Sequence, residues 1–207
     1  MKKLPDPQAF QLLKKAGIPL PKQLFTLNLR EAENFAEKIG YPCIIKLSSP
    51  QLVHKTEGGW VKQVASQEEL KKEFRRMLKA RFRQKAILVQ ERLKGIELLA
   101  GLKRDEQFGP VLVFGLGGVW VEVLKDISMR LIPVTRKDIQ EMISETKCFR
   151  LLKGFRGFKA DLKKLEDCLL KLSSLAKKEK ILELDINPLF ANQKGVWAAD
   201  VRIIYKG

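Results

Sequence analysis

Residues 41–59 read YPCIIKLSSPQLVHKTEGG, and this stretch decides how the rest of the chain is interpreted. Its first half is a short apolar segment that ends near Lys46 and is typical of a buried strand. A loop follows with His54, the only histidine among 207 residues, and closes on a Gly-Gly pair. Residues 58–66, GGWVKQVAS, return to an extended pattern. The stretch therefore predicts a strand, a loop with a single imidazole, and a second strand.

Two interpretations of the histidine loop are open from the residues alone. Gly58 and Gly59 leave backbone N–H groups able to approach an anion, because no Cβ shields them. Lys46 and Lys55 can add positive charge, which suits an imidazole that carries a phosphoryl group. A hydrogen-bonded loop histidine, with Lys46 as a surface lysine whose ammonium reaches solvent, explains the same residues without chemistry.

Helical and strand patterns are interspersed on both sides of this stretch, without a sustained βαβ repeat. Capping residues such as Asn28 and Ser66, and stops such as Gly17 and Gly40, delimit the helices. Helices are predicted within residues 6–17, 28–40, 66–82, 135–145 and 160–180. Strands are predicted at residues 41–49, 58–66, 86–93, several times between 96 and 134, and as a closing hairpin over 181–205. These elements predict an α+β fold with two lobes.

Composition narrows the class of protein. Hydrophobic residues make up 45% of the chain and charged residues 31%, which suits a globular protein with a real core. We expect no membrane span, and the N-terminal lysines are followed by no apolar stretch of the kind a signal peptide has. Three cysteines without paired spacing, and one histidine, predict reduced thiols, no zinc site and a cytoplasmic protein.

The net charge of +16 requires an anionic partner such as a nucleotide, an acidic subunit, an acidic lipid or a nucleic acid. Residues 71–85 hold eight basic side chains and one acidic one. A solvated helix face explains this cluster most simply. RNA is the disfavoured ligand, because no aromatic stacking platform accompanies the cluster.

Two further motifs bear oxygen ligands or glycines. In ELDINPLF, Asp185 and Asn187 are two residues apart and so share one face of a strand, and Asp200 in GVWAAD can come beside them across the intervening turn. Carboxylate and amide oxygens, completed by water and phosphate, are what magnesium requires, although turn chemistry also uses these residues. The segment FGLGGVWVEV, residues 114–123, matches neither the P-loop nor the dinucleotide fingerprint, and a tight turn between strands explains it.

Taken together, these segments resemble the β subunit of ADP-forming acyl-CoA synthetases, also called ADP-forming acetate–CoA ligases. These are ATP-grasp proteins, distantly similar to the succinyl-CoA synthetase β subunit. The resemblance covers nearly the whole chain, and its blocks keep the family's order and spacing. They are LLKKAGIPLPK, YPCIIKLSSPQLVHKTEGG, ILVQERLKGIELLAGLKRDEQFGPVLVFGLGGVWVEVLKD, ELDINPLF and AAD.

The resemblance implies one ATP-grasp domain over residues 1–207, with mixed sheets and flanking helices. One lobe would be about residues 20–90, and the other 1–19 plus 91–207, with nucleotide gripped between them. It also implies an activity that couples acyl-CoA, phosphate and ADP to free acid, CoA and ATP. A separate CoA-binding α subunit, in an α2β2 assembly, would make the acyl phosphate, and a phosphohistidine would carry the phosphoryl group to this chain.

Individual roles follow from position in the same motifs. The resemblance implies that His54 relays the phosphoryl group to ADP and that Asp185 steadies an incoming phosphohistidine. The implied nucleotide contacts are Lys46, Lys55, Gly58, Gly59, Glu91 and Glu97; Gly117 and Gly118 would line the phosphohistidine approach, and Asn187 and Asp200 would hold Mg²⁺. The alternatives are a non-catalytic or regulatory ATP-binding subunit, and another ATP-grasp ligase without a phosphorylated histidine.

Overall fold

The computed structural model describes residues 1–52, 58–118, 124–177 and 180–206. Within these residues the chain forms two compact units. The smaller unit consists of Pro5–Gln8 and Pro21–Leu93, and the larger one of Met1–Leu4, Ala9–Leu20 and Lys94–Gly207. The first helix, α1 (Asp6–Lys15), ends before Gly17, whose φ of +73° stops it as the sequence predicts.

The smaller unit is a four-stranded antiparallel sheet covered by two helices. Its strands are β2 (Gln23–Thr26), β3 (Cys43–Ser48), β4 (Val61–Val64) and β5 (Ala86–Glu91), in the order β2-β5-β3-β4. The helices are α2 (Leu29–Ile39) and α3 (Gln67–Lys79). Alternate residues of β3 and β5, such as Ile45 and Val89, are fully buried against Leu70 and Phe74 of α3.

Both helices begin at the caps that the sequence predicts. The Asn28 side chain accepts hydrogen bonds from two N–H groups of α2, and the Ser66 hydroxyl accepts one from Glu69. In each capping box, the glutamate carboxylate accepts its hydrogen bond from a residue other than the N-cap residue. Glu31 accepts a hydrogen bond from the Thr26 hydroxyl, and Glu69 accepts one from the N–H of Ala65.

The larger unit is built on a seven-stranded antiparallel sheet. Its strands are β1 (Lys2–Lys3), β6 (Ile96–Asp105), β7 (Gly109–Leu116), β8 (Ile127–Leu131), β9 (Ile181–Asn192), β10 (Gly195–Ala198) and β11 (Arg202–Tyr205). Their order is β1-β11-β9-β6-β7-β8, with β10 also paired to β9. Helices α4 (Arg136–Ser144), α5 (Phe149–Leu152) and α6 (Leu162–Ser174) complete the unit. Helices α4 and α6 pack on the sheet, so the core lies between them and its inner face.

The fold therefore confirms the predicted α+β class, and it specifies the sheets: every strand pair among the described residues is antiparallel. The closing hairpin is confirmed for β9 and β10, but β11 adds to it. Ala198 of β10 pairs with Leu189, and Arg202 of β11 pairs with Asp185, so β10 and β11 follow one another along the same edge of β9. In the described part of the chain, no helix has the length and apolarity needed to cross a bilayer.

Candidate functional site

Lys46 lies in the middle of the smaller sheet and is only 7% exposed. It pairs with Val61 of β4 and with Leu88 of β5, so the sheet holds its backbone on both sides. This burial rules out the interpretation of Lys46 as a surface lysine. A buried ammonium in a sheet is costly unless it meets an oxygen-rich group, so the position suits a lysine that neutralises an anion.

Glu91 ends strand β5, and the backbone of Lys22 holds its carboxylate in place. Its Oε1 accepts a hydrogen bond of 2.8 Å from the backbone N–H of Lys22, while its own N–H donates to the Lys22 carbonyl at 2.9 Å. By strand alternation, Glu91 lies on the opposite face of the sheet from Lys46.

Gln90, which the sequence analysis did not single out, shares the face of Lys46 and is 2% exposed, and its side-chain amide donates a hydrogen bond to Gln23. The signal was a polar residue inside the run AILVQE.

His54, the predicted relay, and Lys55, a predicted nucleotide contact, fall outside the described residues, but both flanks of their loop are defined. On the N-terminal flank, the N–H of Arg83 donates to the Gln51 side chain at 2.9 Å, and the Ser49 hydroxyl donates to the Arg83 carbonyl at 2.8 Å. The segment after α3 therefore fixes the chain just before Leu52.

On the C-terminal flank of the loop, Gly58 is exposed and Gly59 adopts a φ of +66°. The Gly59 carbonyl accepts a 2.6 Å hydrogen bond from the Arg76 guanidinium. The same guanidinium lies 4.7 Å from the centre of the Trp60 ring, which meets Phe82 edge to face. The loop therefore re-enters the sheet at a fixed point, while the nucleotide contacts of both glycines stay predictions.

In the larger unit, four predicted residues come together where β6, β7 and β9 meet. The N–H of Gly118 donates to the Asn187 Oδ1 at 2.9 Å, and the N–H of Gly117 donates to the Glu97 carbonyl at 2.8 Å. A Cβ on Gly118 would lie 2.4 Å from a Glu97 carboxylate oxygen, and one on Gly117 would lie 2.4 Å from the Leu98 backbone. Glycine is thus required at position 117 for close approach to the Leu98 backbone, and the φ of +63° at Gly118 favours glycine there.

Asp200 lies in the gap between β10 and β11. The pairings on either side of that gap place it opposite Asn187. Its Oδ1 accepts a 2.9 Å hydrogen bond from the N–H of Val201. The sequence predicted that these two oxygen ligands would meet across a turn, and the register of the two strands provides the reason.

Asp185 is partly buried two residues before Asn187 on β9. The pKa of its carboxyl is raised to about 6, chiefly by burial; Arg202 opposes the shift, and nearby Glu183 and Asp200 contribute to it. Arg202 is directly paired with Asp185 in the sheet but forms its ion pair with Glu183. A carboxyl that titrates near neutral pH on a sheet face is unusual for a structural residue and typical of a functional one.

The donor set around Asn187 fits magnesium only in part. Asn187 and Asp200 supply an amide and a carboxylate oxygen, which are hard ligands of the right kind. Among the residues that the structure describes, no three acid, histidine or cysteine side chains form a metal-binding cluster. A magnesium ion at Asn187 and Asp200 therefore needs water and phosphate oxygens to complete its shell, as expected for an ion that arrives with a nucleotide.

The family described as the ATP-grasp domain matches residues 1–204. Subunit β of acetate–CoA ligase [ADP-forming] II from Pyrococcus furiosus is 42% identical over 213 residues, covering 97% of this chain and 90% of that one. Acetate–CoA ligase [ADP-forming] II of Archaeoglobus fulgidus is also 42% identical, over 93% of this chain, which spans only 29% of that longer protein.

A solved structure extends this similarity to three dimensions. Acetyl-coenzyme A synthetase 1 of Ca. Korarchaeum cryptofilum superimposes with a TM-score of 0.85 at 38% identity, over 99% of this chain and 93% of that one. That protein was solved with coenzyme A and Mg-AMPPCP, with its phosphohistidine segment pointing towards the nucleotide binding site.

Proposed function

We propose that this chain, which belongs to the ATP-grasp family and to its ADP-forming acetate–CoA ligase β subunits, transfers a phosphoryl group between a phosphohistidine and ADP. In the complete reaction, acyl-CoA, phosphate and ADP are converted to acid, CoA and ATP. A separate CoA-binding α subunit performs the acyl chemistry, and the assembly is an α2β2 heterotetramer in the cytoplasm. The relatives support this proposal, since each one cited is an ADP-forming or acetyl-CoA-forming enzyme.

The observation that carries the proposal is the group of polar residues at the junction of β6, β7 and β9. Gly118 contacts both Glu97 and Asn187, and Asp200 and Asp185 lie next to Asn187 on the same sheet. An oxygen-rich group of this kind can receive the phosphate end of a nucleotide together with its cation. Lys46, Glu91 and Glu97 are the proposed contacts to the nucleotide itself.

Phosphoryl transfer needs positioning and charge neutralisation more than covalent chemistry. In the proposed step, the N–P bond of the phosphohistidine breaks as a terminal oxygen of ADP forms the new O–P bond, and the imidazole is released. Magnesium, when bound at Asn187 and Asp200, supplies neutralisation of the phosphate charge. Lys46 adds a second positive charge. The Asp185 carboxylate accepts the N–H of the incoming imidazole and so fixes the orientation of its ring.

His54 is the proposed relay, because it is the only histidine of the chain. A neutral imidazole, with an unperturbed pKa near 6.5, is a competent nucleophile at neutral pH. Incubation with magnesium and ATP labelled at the γ position should place acid-labile, base-stable phosphate on the chain. ADP should then chase the label back into ATP.

His54→Asn should abolish this label while nucleotide binding persists, as measured by calorimetry with ADP. Asp200→Ala should lose the magnesium dependence of nucleotide binding, for which Asp105→Ala, a change in the β6–β7 turn, is the control. A wild-type chain that stays unlabelled even with its CoA-binding subunit would overturn the relay. Direct transfer from the phosphohistidine of that subunit to ADP would then be the mechanism.

A further inference from the structure

The segment between α4 and α6 has a composition unlike the rest of the chain. Residues 147–159, KCFRLLKGFRGFK, contain five cations, three phenylalanines and no acid, and every third residue is basic. Residues 153–159 are all exposed, and Phe155 and Phe158 are 38% and 50% exposed. We call residues 147–159 the aromatic–basic loop. Exposed phenylalanines beside uncompensated cations are characteristic of a contact surface.

The backbone of the aromatic–basic loop is fixed at both ends. The buried Asp126 carboxylate accepts hydrogen bonds from the N–H groups of Lys147 and Cys148 at 2.7 and 2.9 Å. At the other end, the N–H of Ala160 donates to the Leu152 carbonyl at 3.0 Å. A loop held in this way loses little conformational entropy when it binds a partner.

Three of its five cations lie on phenylalanine rings. The Arg150 guanidinium carbon is 4.6 Å from the centre of the Phe155 ring, and that of Arg156 is 5.5 Å from the same ring. The Lys153 ammonium is 5.3 Å from the centre of the Phe149 ring. A guanidinium that stacks on a ring keeps its N–H edge available for an oxyanion, which it can bind through two parallel hydrogen bonds.

The backbone of residues 154–157 adopts an unfavourable dihedral angle at Arg156 while it holds the Phe155 and Arg156 side chains exposed to solvent. Arg156 adopts a φ of +51°, which is unfavourable for a residue with a side chain, and it is flanked by Gly154 and Gly157 at +125° and +83°. Within the described part of the chain, no carboxylate forms an ion pair with Arg150, Lys153, Arg156 or Lys159. The loop thus presents positive charge that no carboxylate of the described residues neutralises through an ion pair.

We infer that the aromatic–basic loop is a docking surface for an acidic segment of the CoA-binding partner subunit. This inference rests on the proposed function, which supplies that partner. The matched region is one part of a longer polypeptide in the A. fulgidus relative and a separate subunit in the P. furiosus one. A protein partner is favoured over RNA because two of the three rings, Phe149 and Phe155, already contact cations. That leaves Phe158 alone in this segment for stacking, whereas single-stranded RNA is bound by platforms that stack successive bases.

Charge reversal tests the inference. The chain and the CoA-binding subunit of the same organism are purified, and their Kd is measured by calorimetry at low and high salt. Arg150→Glu with Lys159→Glu should raise Kd more than about tenfold at low salt, and Phe158→Ala should raise it at both salt concentrations. The matched control, Lys72→Glu with Lys79→Glu on the exposed face of α3, changes the net charge equally and should alter Kd less than about twofold.

The following results would overturn the inference. Equal weakening by both double variants would assign the effect to net charge, and no weakening by either would place the interface elsewhere. Loss of binding to a labelled RNA oligonucleotide by the loop variant, with subunit binding unchanged, would make the loop a nucleic-acid site. If the loop variant binds the subunit as wild type does and still takes up phosphate, the docking role of the loop is refuted and the proposed function stands. If the wild-type chain neither binds the subunit nor takes up phosphate, the proposed function is refuted as well.

Discussion

At the scale of single residues, the Asp185 carboxyl at the candidate site destabilises the folded chain when it is ionised. Its carboxyl is partly buried on β9, and Arg202, the cation paired with it in the sheet, is engaged by Glu183. Burial raises its pKa to about 6 from an ordinary value of 3.8. The ionised form therefore destabilises the folded chain, and a residue kept under that penalty has a role other than packing.

The stability of the chain should depend on pH through Asp185. Because the folded pKa exceeds the unfolded one, the unfolded chain ionises first, and stability falls as pH rises from about 4 to about 6. Asp185→Asn removes this titration. At pH 7.5 the variant should be more stable by roughly 1–3 kcal/mol in urea unfolding, and the difference should shrink towards zero at pH 4.

Glu106→Gln is the control for this prediction, since Glu106 is an exposed acid of the same unit and its loss should change stability little. A difference between Asp185→Asn and wild type that stays constant from pH 7.5 to pH 4 would contradict the assignment, because it would not follow the titration of a carboxyl.

The sequence predicted that Asn187 and Asp200 lie close together, but it did not predict that Lys46 is buried. Asn187 and Asp200 were predicted to meet, because a spacing of two fixes a strand face and a short turn limits the return path. The burial of Lys46 was not predictable in the same way. It depends on β4 and β5, which flank β3 but come later in the chain, and no local pattern reports such neighbours.

At the scale of elements, the basic segment of helix α3 and the residues after it offers fewer free positive charges to a polyanion than its composition indicates. Lys71 pairs with Glu33 of α2 at 3.0 Å, and Arg76 binds Glu73 and the Gly59 carbonyl. The Lys85 ammonium donates to the carbonyls of Leu78 and Ala80, at the C-terminal end of the helix, where a positive charge is favourable. Three of the eight cations in residues 71–85 therefore have structural partners.

Arg76→Ala should destabilise the chain by about 1.5 kcal/mol, because it removes a charged hydrogen bond to Gly59 and the contact with Trp60. Arg75→Ala, an exposed neighbour on the same helix, should change stability by less than about 0.5 kcal/mol. Urea unfolding of both variants measures the difference. Equal effects of the two substitutions would show that Arg76 does not anchor the loop end.

Elements with caps and clear periodicity were predicted, whereas those defined only by distant partners were not. Helices α2 and α3 begin directly after the predicted caps Asn28 and Ser66, and α4 begins directly after Thr135, the first residue of its predicted segment. Strands β1 and β2 were missed, because two to four residues carry no period and only their pairing with β11 and β5 defines them. Helix α5 was missed because four residues are too few for a helical pattern.

At the scale of the whole molecule, the cysteines confirm the predicted free thiols. Cys43, Cys148 and Cys168 are unpaired with one another and buried, and desolvation raises the pKa of each thiol, to about 11, 11 and 12 respectively. The thiolate form, which is the reactive one, is thus suppressed at neutral pH. Both units carry this protection, since Cys43 belongs to the smaller one and the other two to the larger.

The folded chain should therefore react negligibly with DTNB at pH 8 over minutes, and all three thiols should react after unfolding in urea. Absorbance of the released thiolate counts them. Rapid release of one equivalent or more from the folded chain would show that at least one cysteine is accessible, which would contradict its burial in the core.

The pairing of the first strand with the last has a consequence for the order in which the molecule is completed during synthesis. Among the described strands, β1 pairs with β11 alone, with Lys2 opposite Tyr205, so residues 2–3 can join the sheet only after residues 204–205 have been made. The four strands of the smaller unit all lie between residues 23 and 91, so that sheet can form while the ribosome is still translating the rest. The N-terminal edge of the larger sheet, in contrast, can close only when translation of residues 202–205 is finished.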